Sequence, residues 1–374
     1  MNILVIGNGF DKAHGLPTGY DNFLDFLKVL HTHIAYPSDL PGYRKLVDRS
    51  KLCEENDSFR DFCLKCMNDA EIKSDKRLSE LLSLMSENIW VEYFCALRIP
   101  KRNWVGCEGN LKEVIQAIDP ENSKDSQYAM IRHSFDAALE KADINGTLRK
   151  SNDLSLTIEK LLEDLARFTR CLEIYLCLCL EFVPISKRLN VISEIGDIDA
   201  VLSFNYTDTF EKVYAPSLSK VPKYCYVHGK ADLQHNWKQT NMVLGIDEYL
   251  DEELRNVRVN FIGFKKYYQR IFKQTSYDYT KWLDEREEKN IFFIGHSLDI
   301  TDRDILRDII LEEPFNNLEK KMHEDDIHTT IFYHSKQSNA SQIENLVRVL
   351  EYDKLNALAR GTDRTRSLCF KELC

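Results

Sequence analysis

The sequence predicts an α/β fold, in which a doubly wound, mostly parallel sheet is interrupted by a large insertion of α-helices. Three observations lead to this prediction. A short apolar run, residues 2–6, meets a glycine-rich turn directly, which is typical of a buried parallel strand followed by a loop and a helix. Residues 36–189 then carry apolar side chains at helical spacing almost throughout. After residue 190, short β-rich runs alternate with helical stretches, which favours a parallel sheet covered on both faces.

The helices follow from apolar residues that recur every three or four positions. This spacing predicts helices over 20–34, 75–98 and 153–183. Asp153 is the predicted N-cap of the longest one, and Pro184 ends it.

The strands follow from short apolar, β-branched and aromatic runs. After the strand at 2–6 they are predicted at 200–204, 224–227, 241–245, 291–294 and 329–333, with helices at 248–258 and 301–311 between them. We therefore expect an α/β domain made of 1–35 and 190–374, and a helical insertion domain made of 36–189.

Composition and charge narrow the function classes. The formal net charge of the 374-residue chain is −10, so it lacks the basic field that non-specific nucleic-acid or membrane binding uses. No run approaches the ~18 apolar residues of a membrane span, and the first residues lack a signal-peptide pattern, which predicts a cytoplasmic protein. The eleven cysteines include one Cys-x-x-Cys pair, Cys63 and Cys66, without the second pair that a zinc site needs. We read this pair as one turn of a surface helix and expect no metal.

The turn after the first strand reads Gly7-Asn8-Gly9-Phe10-Asp11. Lys12 stands where the dinucleotide fingerprint G-x-G-x-x-G has its third glycine, and no Walker A lysine follows. Two glycines at a strand-to-helix turn still allow backbone N–H groups to approach an anion. From the turn alone, a structural role and a ligand-binding role stay open.

Four segments together resemble the sirtuins. The spacing of Gly7, Gly9, Gly15 and Pro17 is that of the sirtuin NAD fingerprint. Three further segments follow strands in the sirtuin order: Ser203-Phe204-Asn205, His228-Gly229 and Gly295-His296-Ser297-Leu298. The paired zinc-ribbon cysteines of sirtuins are missing, and Thr207 stands where sirtuins have an aspartate, with Asp208 one step later. Deacylation is therefore not expected.

The same segments resemble the bacteriophage abortive-infection AbiH family more closely. The matching stretches are Gly7 to Tyr20, Phe204 to Thr207, His228-Gly229 and Ile294 to Leu298, and they span nearly the whole chain. This resemblance implies an anti-phage protein with a sirtuin-like, Rossmann-type domain. Through the sirtuins it also implies NAD as the substrate, and cleavage of the bond between nicotinamide and ribose.

The resemblance implies roles for particular residues. Asn205 would orient water and the ribose hydroxyls, and His228 would act as the base, which suits an oxocarbenium-like transition state. Pyrophosphate would lie on the N–H groups of Gly7, Asn8, Gly9 and Phe10, with Gly295 and Ser297 nearby. Asp11 or Asp208 would bind a ribose hydroxyl, and His14 and Pro17 would border the nucleotide.

Each of these residues also has a structural interpretation. His228 and Asn205 can satisfy backbone groups at strand ends, and His14 can simply face the core. Two other functions stay open as well: a non-catalytic nucleotide-binding sensor or scaffold, and a serine hydrolase at Ser297, whose G-x-S-x-G elbow lacks its second glycine because residue 299 is Asp. A phage-derived trigger is the expected partner, and self-association is left open.

Overall fold

The computed structural model describes residues 1–35, 74–97, 107–122, 125–148, 153–248, 259–285, 287–311, 326–362 and 366–373. The chain divides into two compact units. The sheet unit consists of Met1–Leu16, Ile185–Lys230 and Gln274–Cys374, and the helical unit consists of Pro17–Pro184 and Ala231–Lys273.

The described strands are β1 Asn2–Ile6, β2 Ala200–Ser203, β3 Lys223–Tyr226, β4 Lys289–Ile294, β5 Ile327–Tyr333 and β6 Arg366–Glu372. The described helices are α1 Asn8–Ala13, α2 Tyr20–Ala35, α3 Lys76–Met85, α4 Ile89–Ala96, α5 Cys107–Ile118, α6 Ala129–Ala142, α7 Leu154–Phe182, α8 Val191–Ile195, α9 Thr209–Val213, α10 Lys266–Lys273, α11 Tyr279–Leu283, α12 Arg303–Leu311, α13 Lys336–Leu350 and α14 Tyr352–Arg360. Short 3₁₀ turns include Ile300–Asp302.

The six strands form one all-parallel sheet in the order β3-β2-β1-β4-β5-β6. This confirms the predicted parallel α/β architecture. The order is that of doubly wound dinucleotide-binding sheets, in which the chain first builds outward on one side of β1 and then returns to build on the other. The point of reversal lies between β1 and β4, and in such sheets ligands bind outside the carboxyl ends of the strands near that point.

The central strand is buried on both faces because every residue from Ile3 to Ile6 is apolar. Its side chains alternate between two hydrophobic clusters. Ile3 and Val5 belong to one cluster, together with residues of α12 and α13, and Leu4 and Ile6 belong to the other. Since successive side chains of a strand point to opposite faces, the continuous apolar run places helices on both sides of the sheet.

One predicted strand was wrong, and one strand of the sheet was not predicted. Residues 241–245 do not form a strand; this stretch belongs to the helical unit, where the backbone of Leu244 bonds the side chain of Gln269 (3.1 and 2.9 Å). The edge strand β6 was missed, because Arg366–Glu372 has polar residues at both ends and its apolar run, 368–370, is short. An edge strand is solvated on one side, so it needs less apolar surface than a central strand.

In the helical unit, the 29-residue helix α7 is as predicted, with Asp153 accepting a hydrogen bond from Ser155 N as its N-cap. The helix predicted over 75–98 is instead two helices, α3 and α4. Asn88 ends the continuity because its side chain caps α4 through the N–H groups of Trp90 and Val91. Hydrogen bonds of this kind make Asn favourable at a cap and unfavourable inside a helix.

The helix predicted at 248–258 and the Cys63–Cys66 pair lie outside the described residues. The compact units divide at other positions than the predicted domain boundaries, since α2 and residues 231–273 belong to the helical unit. These units are defined by contacts between residues, whereas a domain is defined by its ability to fold on its own. The domain division at 36 and 189 therefore stays a prediction.

Candidate functional site at the carboxyl edge of the sheet

A polar residue follows each of four neighbouring strands, and in each case it stands the same number of residues after the last paired position of the strand. The last residues in mutual register are Tyr226, Ser203, Ile6 and Ile294, on β3, β2, β1 and β4. Two positions further along each segment stand His228, Asn205, Asn8 and His296. Adjacent strands are about 4.8 Å apart, so this register brings chemistry from four distant parts of the chain to one edge.

Asn205 is a buried residue of this edge whose side-chain amide has no hydrogen-bond partner among the described residues. Its side chain is buried, with 4% of the residue exposed. Neither its Nδ2 nor its Oδ1 has a hydrogen-bond partner among the described residues. Its backbone, in contrast, is held by Ser203, whose hydroxyl accepts from Asn205 N (3.1 Å) and donates to Asn205 O (3.0 Å). A buried amide without partners costs about 1–3 kcal/mol per group, so a ligand or water that pairs with it would gain that energy.

His228 is buried and bonded to a carboxylate. Its Nε2 lies 2.9 Å from Oδ1 of Asp302, which is the last residue of the 3₁₀ turn before α12. An ionised carboxylate can only accept hydrogen bonds, so Nε2 is the donor. In the neutral ring, Nδ1 is then the unprotonated nitrogen.

His296 lies on the other side of the same carboxylate. Its Nε2 is 3.9 Å from Oδ2 of Asp302. The N–H of Leu298 donates to Nδ1 of His296 (2.8 Å), which places the proton of the neutral ring on Nε2. A metal-bound histidine usually donates its second nitrogen to an acceptor, so this tautomer is unsuited to binding a metal through Nε2.

The ring of Phe204 is packed edge-on against both imidazoles. The ring centroids are 5.6 Å apart for His228 and 4.3 Å apart for His296. This apolar wall excludes water from one side of the two histidines, and electrostatic interactions there are stronger than in water.

The glycine turn after β1 uses its backbone donors internally. Gly7 N donates to Ile294 O (3.2 Å), Gly9 N to Gly295 O (2.8 Å) and Phe10 N to Gly7 O (2.8 Å). A Cβ on Gly9 would lie 2.8 Å from the Gly295 carbonyl oxygen, and one on Gly295 would lie 2.1 Å from Phe10 N. These glycines therefore let two backbone turns pack against each other, and an anion at this turn would need donors other than these three N–H groups.

The two aspartates expected at a ribose differ in their surroundings. Asp11 is buried, and its Oδ2 accepts a hydrogen bond from the Thr207 hydroxyl (2.6 Å). Asp208 is partly exposed at the start of α9 and forms ion pairs with Lys212 (3.0 Å) and Lys230 (3.7 Å). A ribose contact with Asp208 would compete with two lysines, whereas Asp11 joins the turns after β1 and β2.

His14 belongs to a closed hydrogen-bond chain in the core. Leu189 N donates to the Tyr214 hydroxyl (2.7 Å), whose proton goes to Nε2 of His14 (2.7 Å), and Nδ1 of His14 donates to Phe10 O (2.6 Å). Burial lowers the pKa of His14 and raises that of Tyr214. Both ring nitrogens are used, so the core-facing interpretation of His14 describes its geometry, and its contact with a nucleotide stays a prediction.

Pro17 and Ser297 complete the predicted set. Pro17 belongs to the helical unit, where its carbonyl accepts a hydrogen bond from the Tyr175 hydroxyl (2.7 Å). Ser297 is exposed, and its carbonyl accepts from Asn345 Nδ2 (2.9 Å). Within the described part of the chain, its hydroxyl has no hydrogen bond to a histidine, which a serine nucleophile needs.

Sequence reasoning missed Asp302 as the partner of His228. Asp302 stands at a strand-to-helix junction, where an aspartate is equally typical of a helix cap. The cap of that turn is in fact Asp299, which accepts from Thr301 N (3.0 Å), whereas Asp302 bonds His228 (2.9 Å). The sequence did indicate a possible partner for a histidine, because Asp299 and Asp302 both follow His296 closely. Their spacing, however, does not tell which of the two caps the turn.

Neither a membrane-spanning helix nor a metal site is found among the described residues. No helix there is both long and apolar enough to cross a bilayer. No group of three His, Cys, Asp or Glu side chains there converges as a set of metal ligands.

The fold and the site define a parallel α/β protein of the doubly wound class, with a buried Asn, His and Asp group at the carboxyl edge of its sheet. The family model described as "Bacteriophage abortive infection AbiH" matches residues 3–345, and the chain therefore belongs to the AbiH family of phage abortive infection. No curated protein and no solved structure matches the chain.

Proposed function

We propose that this chain is an NAD⁺ glycohydrolase, which depletes NAD⁺ during phage infection by cleaving the bond between nicotinamide and ribose. The observation that carries the proposal is the unpaired, buried amide of Asn205, two register positions from the ladder and level with His228 on the neighbouring strand. Native proteins rarely leave buried polar groups without partners, and those that do so often have a ligand there.

The chemistry needs few groups. Nicotinamide leaves NAD⁺ as a neutral ring, because the electron pair of the broken C–N bond neutralises the pyridinium. The leaving group therefore needs no acid. What remains is to stabilise an oxocarbenium-like sugar, to orient its hydroxyls and a water, and to accept one proton from that water.

The residues at this edge match these needs. The Asn205 amide offers both a donor and an acceptor to a ribose hydroxyl or a water. Neutral His228 has its unprotonated nitrogen at Nδ1, and Asp302 stabilises the imidazolium that forms when Nδ1 takes a proton. The AbiH assignment supports the biological setting, in which loss of a central cofactor stops phage replication together with the host.

The first test is nicotinamide release. Purified protein is mixed with NAD⁺ and separately with NADP⁺, and the products are followed by proton NMR. Asn205→Ala and His228→Ala are expected to lower turnover by ~10²–10⁴-fold while melting temperature is kept. His334→Ala is the matched control, because this exposed histidine follows β5 on the same sheet edge, outside the four-strand group.

The second test is made in infected cells, because we propose that a phage-derived trigger activates the enzyme. NAD⁺ and nicotinamide are measured at intervals after infection in cells that express the wild type or His228→Ala. A fall in NAD⁺ in the wild type alone supports the proposal. Protection from phage while the NAD⁺ concentration stays constant contradicts the proposal. If protein purified from these protected cells binds NAD⁺ tightly but does not cleave it, the chain is a nucleotide sensor instead.

A further inference from the structure

Asp302 lies between two imidazoles and faces an N–H from each. Its Oδ1 is 2.9 Å from Nε2 of His228, and its Oδ2 is 3.9 Å from Nε2 of His296. All three residues are buried. The N-cap of the 3₁₀ turn that ends at Asp302 is a different acid, Asp299. The Asp302 carboxylate is thus hydrogen-bonded to His228 and lies close to His296.

The two rings are held in one tautomer by different means. Asp302 fixes His228, because a carboxylate accepts from Nε2 and leaves Nδ1 unprotonated in the neutral ring. The backbone fixes His296, because Leu298 N donates to Nδ1. This bond requires a turn in which Gly295 and Leu298 both have positive φ, +68° and +57°, a conformation that is unfavourable for leucine.

The backbone of His296 is anchored in addition. Gln342 of α13 donates from Nε2 to the His296 carbonyl (3.0 Å). His296 is therefore held at the ring and at the main chain, and its Nε2 lies 3.9 Å from Oδ2 of Asp302. Backbone strain of this kind is typical of functional positions, so we expect His296 to do more than fill space in the core.

We propose that Asp302 is a positioning residue for the base His228, and that the anchored ring of His296 beside it keeps the carboxylate in this orientation. This inference rests on the proposed function and adds the pair Asp302–His296 to it. Asp302 does not touch the substrate. In the step, the water oxygen bonds to C1′ of the ribose, the C1′–N bond breaks with its electron pair going to nicotinamide, and the water proton moves to Nδ1 of His228.

The decisive measurement needs no substrate. Protein with ¹⁵N-labelled histidine is studied by long-range ¹H–¹⁵N NMR at a pH where the rings are neutral, with His228→Gln and His296→Gln to assign the signals. We expect the wild type to carry the proton of both rings on Nε2. In Asp302→Asn the amide can donate to Nε2 instead, so His228 should shift toward the Nδ1–H tautomer while His296 keeps its pattern.

Turnover supplies the second readout. Asp302→Asn is expected to lower kcat by ~10²–10⁴-fold with KM nearly unchanged, since the same isosteric change in Ser-His-Asp enzymes fixes the wrong tautomer and costs about 10⁴. Asp299→Asn is the matched control, because it makes the same change in the same turn, and Asn still caps. Its kcat and its histidine tautomers should equal those of the wild type.

The outcomes separate this inference from the proposed function. An Nδ1–H tautomer of His228 in the wild type overturns the role of Asp302, and this holds even if Asp302→Asn does not fold. An unchanged tautomer in folded Asp302→Asn does the same. If the tautomers behave as expected but no nucleotide is cleaved by the triggered wild type, the NAD⁺ glycohydrolase proposal fails while the positioning by Asp302 stands.

Discussion

His14 and His228 are both buried histidines that follow strands of one sheet, and their hydrogen-bond partners differ in charge. His14 pairs with a carbonyl and a hydroxyl, and burial lowers its pKa more than the hydrogen bond to the Phe10 carbonyl raises it. His228 pairs instead with the carboxylate of Asp302. A histidine that must accept a proton needs the second arrangement. The comparison shows that the partner of a buried histidine, more than its burial, indicates its role.

The comparison extends to two turns at the same edge of the sheet. In the glycine turn after β1, the N–H groups of Gly7, Gly9 and Phe10 bond within the protein, whereas the Asn205 amide after β2 has no partner among the described residues. The first arrangement stabilises the fold, and the second is the one that we propose to bind the nucleotide. The predictions below test this division, from the largest expected effect to the smallest.

The largest effect is expected on turnover at the unpaired amide. Asn205→Ala should reduce NAD⁺ cleavage by ~10²–10⁴-fold without lowering the free energy of unfolding, because it removes a buried amide that no described residue pairs with. Turnover and urea denaturation are measured on the same preparation. A loss of several kcal/mol in stability would show that Asn205 is structural.

The glycine turn should respond in the opposite way. Gly295→Ala combines a positive φ with a Cβ 2.1 Å from Phe10 N, so we expect a loss of roughly 2–5 kcal/mol in unfolding free energy. Gly361→Ala is the matched control, because its φ of +63° is similar but no described atom lies within 4 Å of the added Cβ. It should cost only about 1 kcal/mol. Equal losses in urea denaturation would argue against the close packing of the two turns.

The His14 chain predicts a pH dependence of stability. Because the folded-state pKa lies below the ordinary value of 6.5, the unfolded state binds the proton first. Stability from neutral His14 is therefore fully present above pH 6.5 and is lost as the pH falls from 6.5 toward the folded-state pKa, by at most about 1.4 kcal/mol per pH unit.

His14→Phe removes this titration, so its unfolding free energy should fall less steeply below pH 6.5 than that of the wild type. Tyr214→Phe leaves Leu189 N and His14 Nε2 without their partner and should cost about 1–3 kcal/mol at neutral pH. Both are followed by denaturation between pH 5 and 8. Parallel curves for wild type and His14→Phe would contradict the assignment.

The smallest effect is expected at Asp208. Its partly exposed ion pairs with Lys212 and Lys230 should contribute no more than about 1 kcal/mol, so Asp208→Asn should leave stability nearly unchanged. Calorimetry with NAD⁺ then decides its predicted ribose contact: a weaker affinity supports the contact, and wild-type affinity assigns that part to Asp11 or to neither.

The sequence predicted the central part of the fold because its strands are buried on both faces and read as continuous apolar runs. The strand β6 could not be predicted in this way, because most of its residues are at least partly exposed. At 241–245 the prediction was wrong, because this apolar stretch packs within the protein without joining the sheet. Short apolar runs are buried in either case, and periodicity alone cannot tell which partner covers them.

The candidate site was predictable up to its strand-end residues. Asn205 and His228 could be named because the carboxyl ends of parallel strands meet at one edge. The role of Asp302 could not, since it depends on which of two nearby acids caps a turn. The glycines were ambiguous as well. A bound phosphate and a closely packed backbone turn both require a residue without a side chain, so glycine at these positions does not tell which of the two is present.

The central position of β1 has a consequence for the timing of synthesis. This strand is synthesised before the other strands of the sheet, but one of its two neighbours, β4, begins only at Lys289, and Asp302, the partner of His228, follows later still. At roughly 5–20 residues per second, the first strand waits tens of seconds for that neighbour. The sheet edge that carries the four polar side chains cannot assemble on a nascent chain shorter than this. A translation product that ends before Asp302 therefore lacks a residue on which the proposed activity depends, which suits a protein whose proposed activity would otherwise poison the cell that makes it.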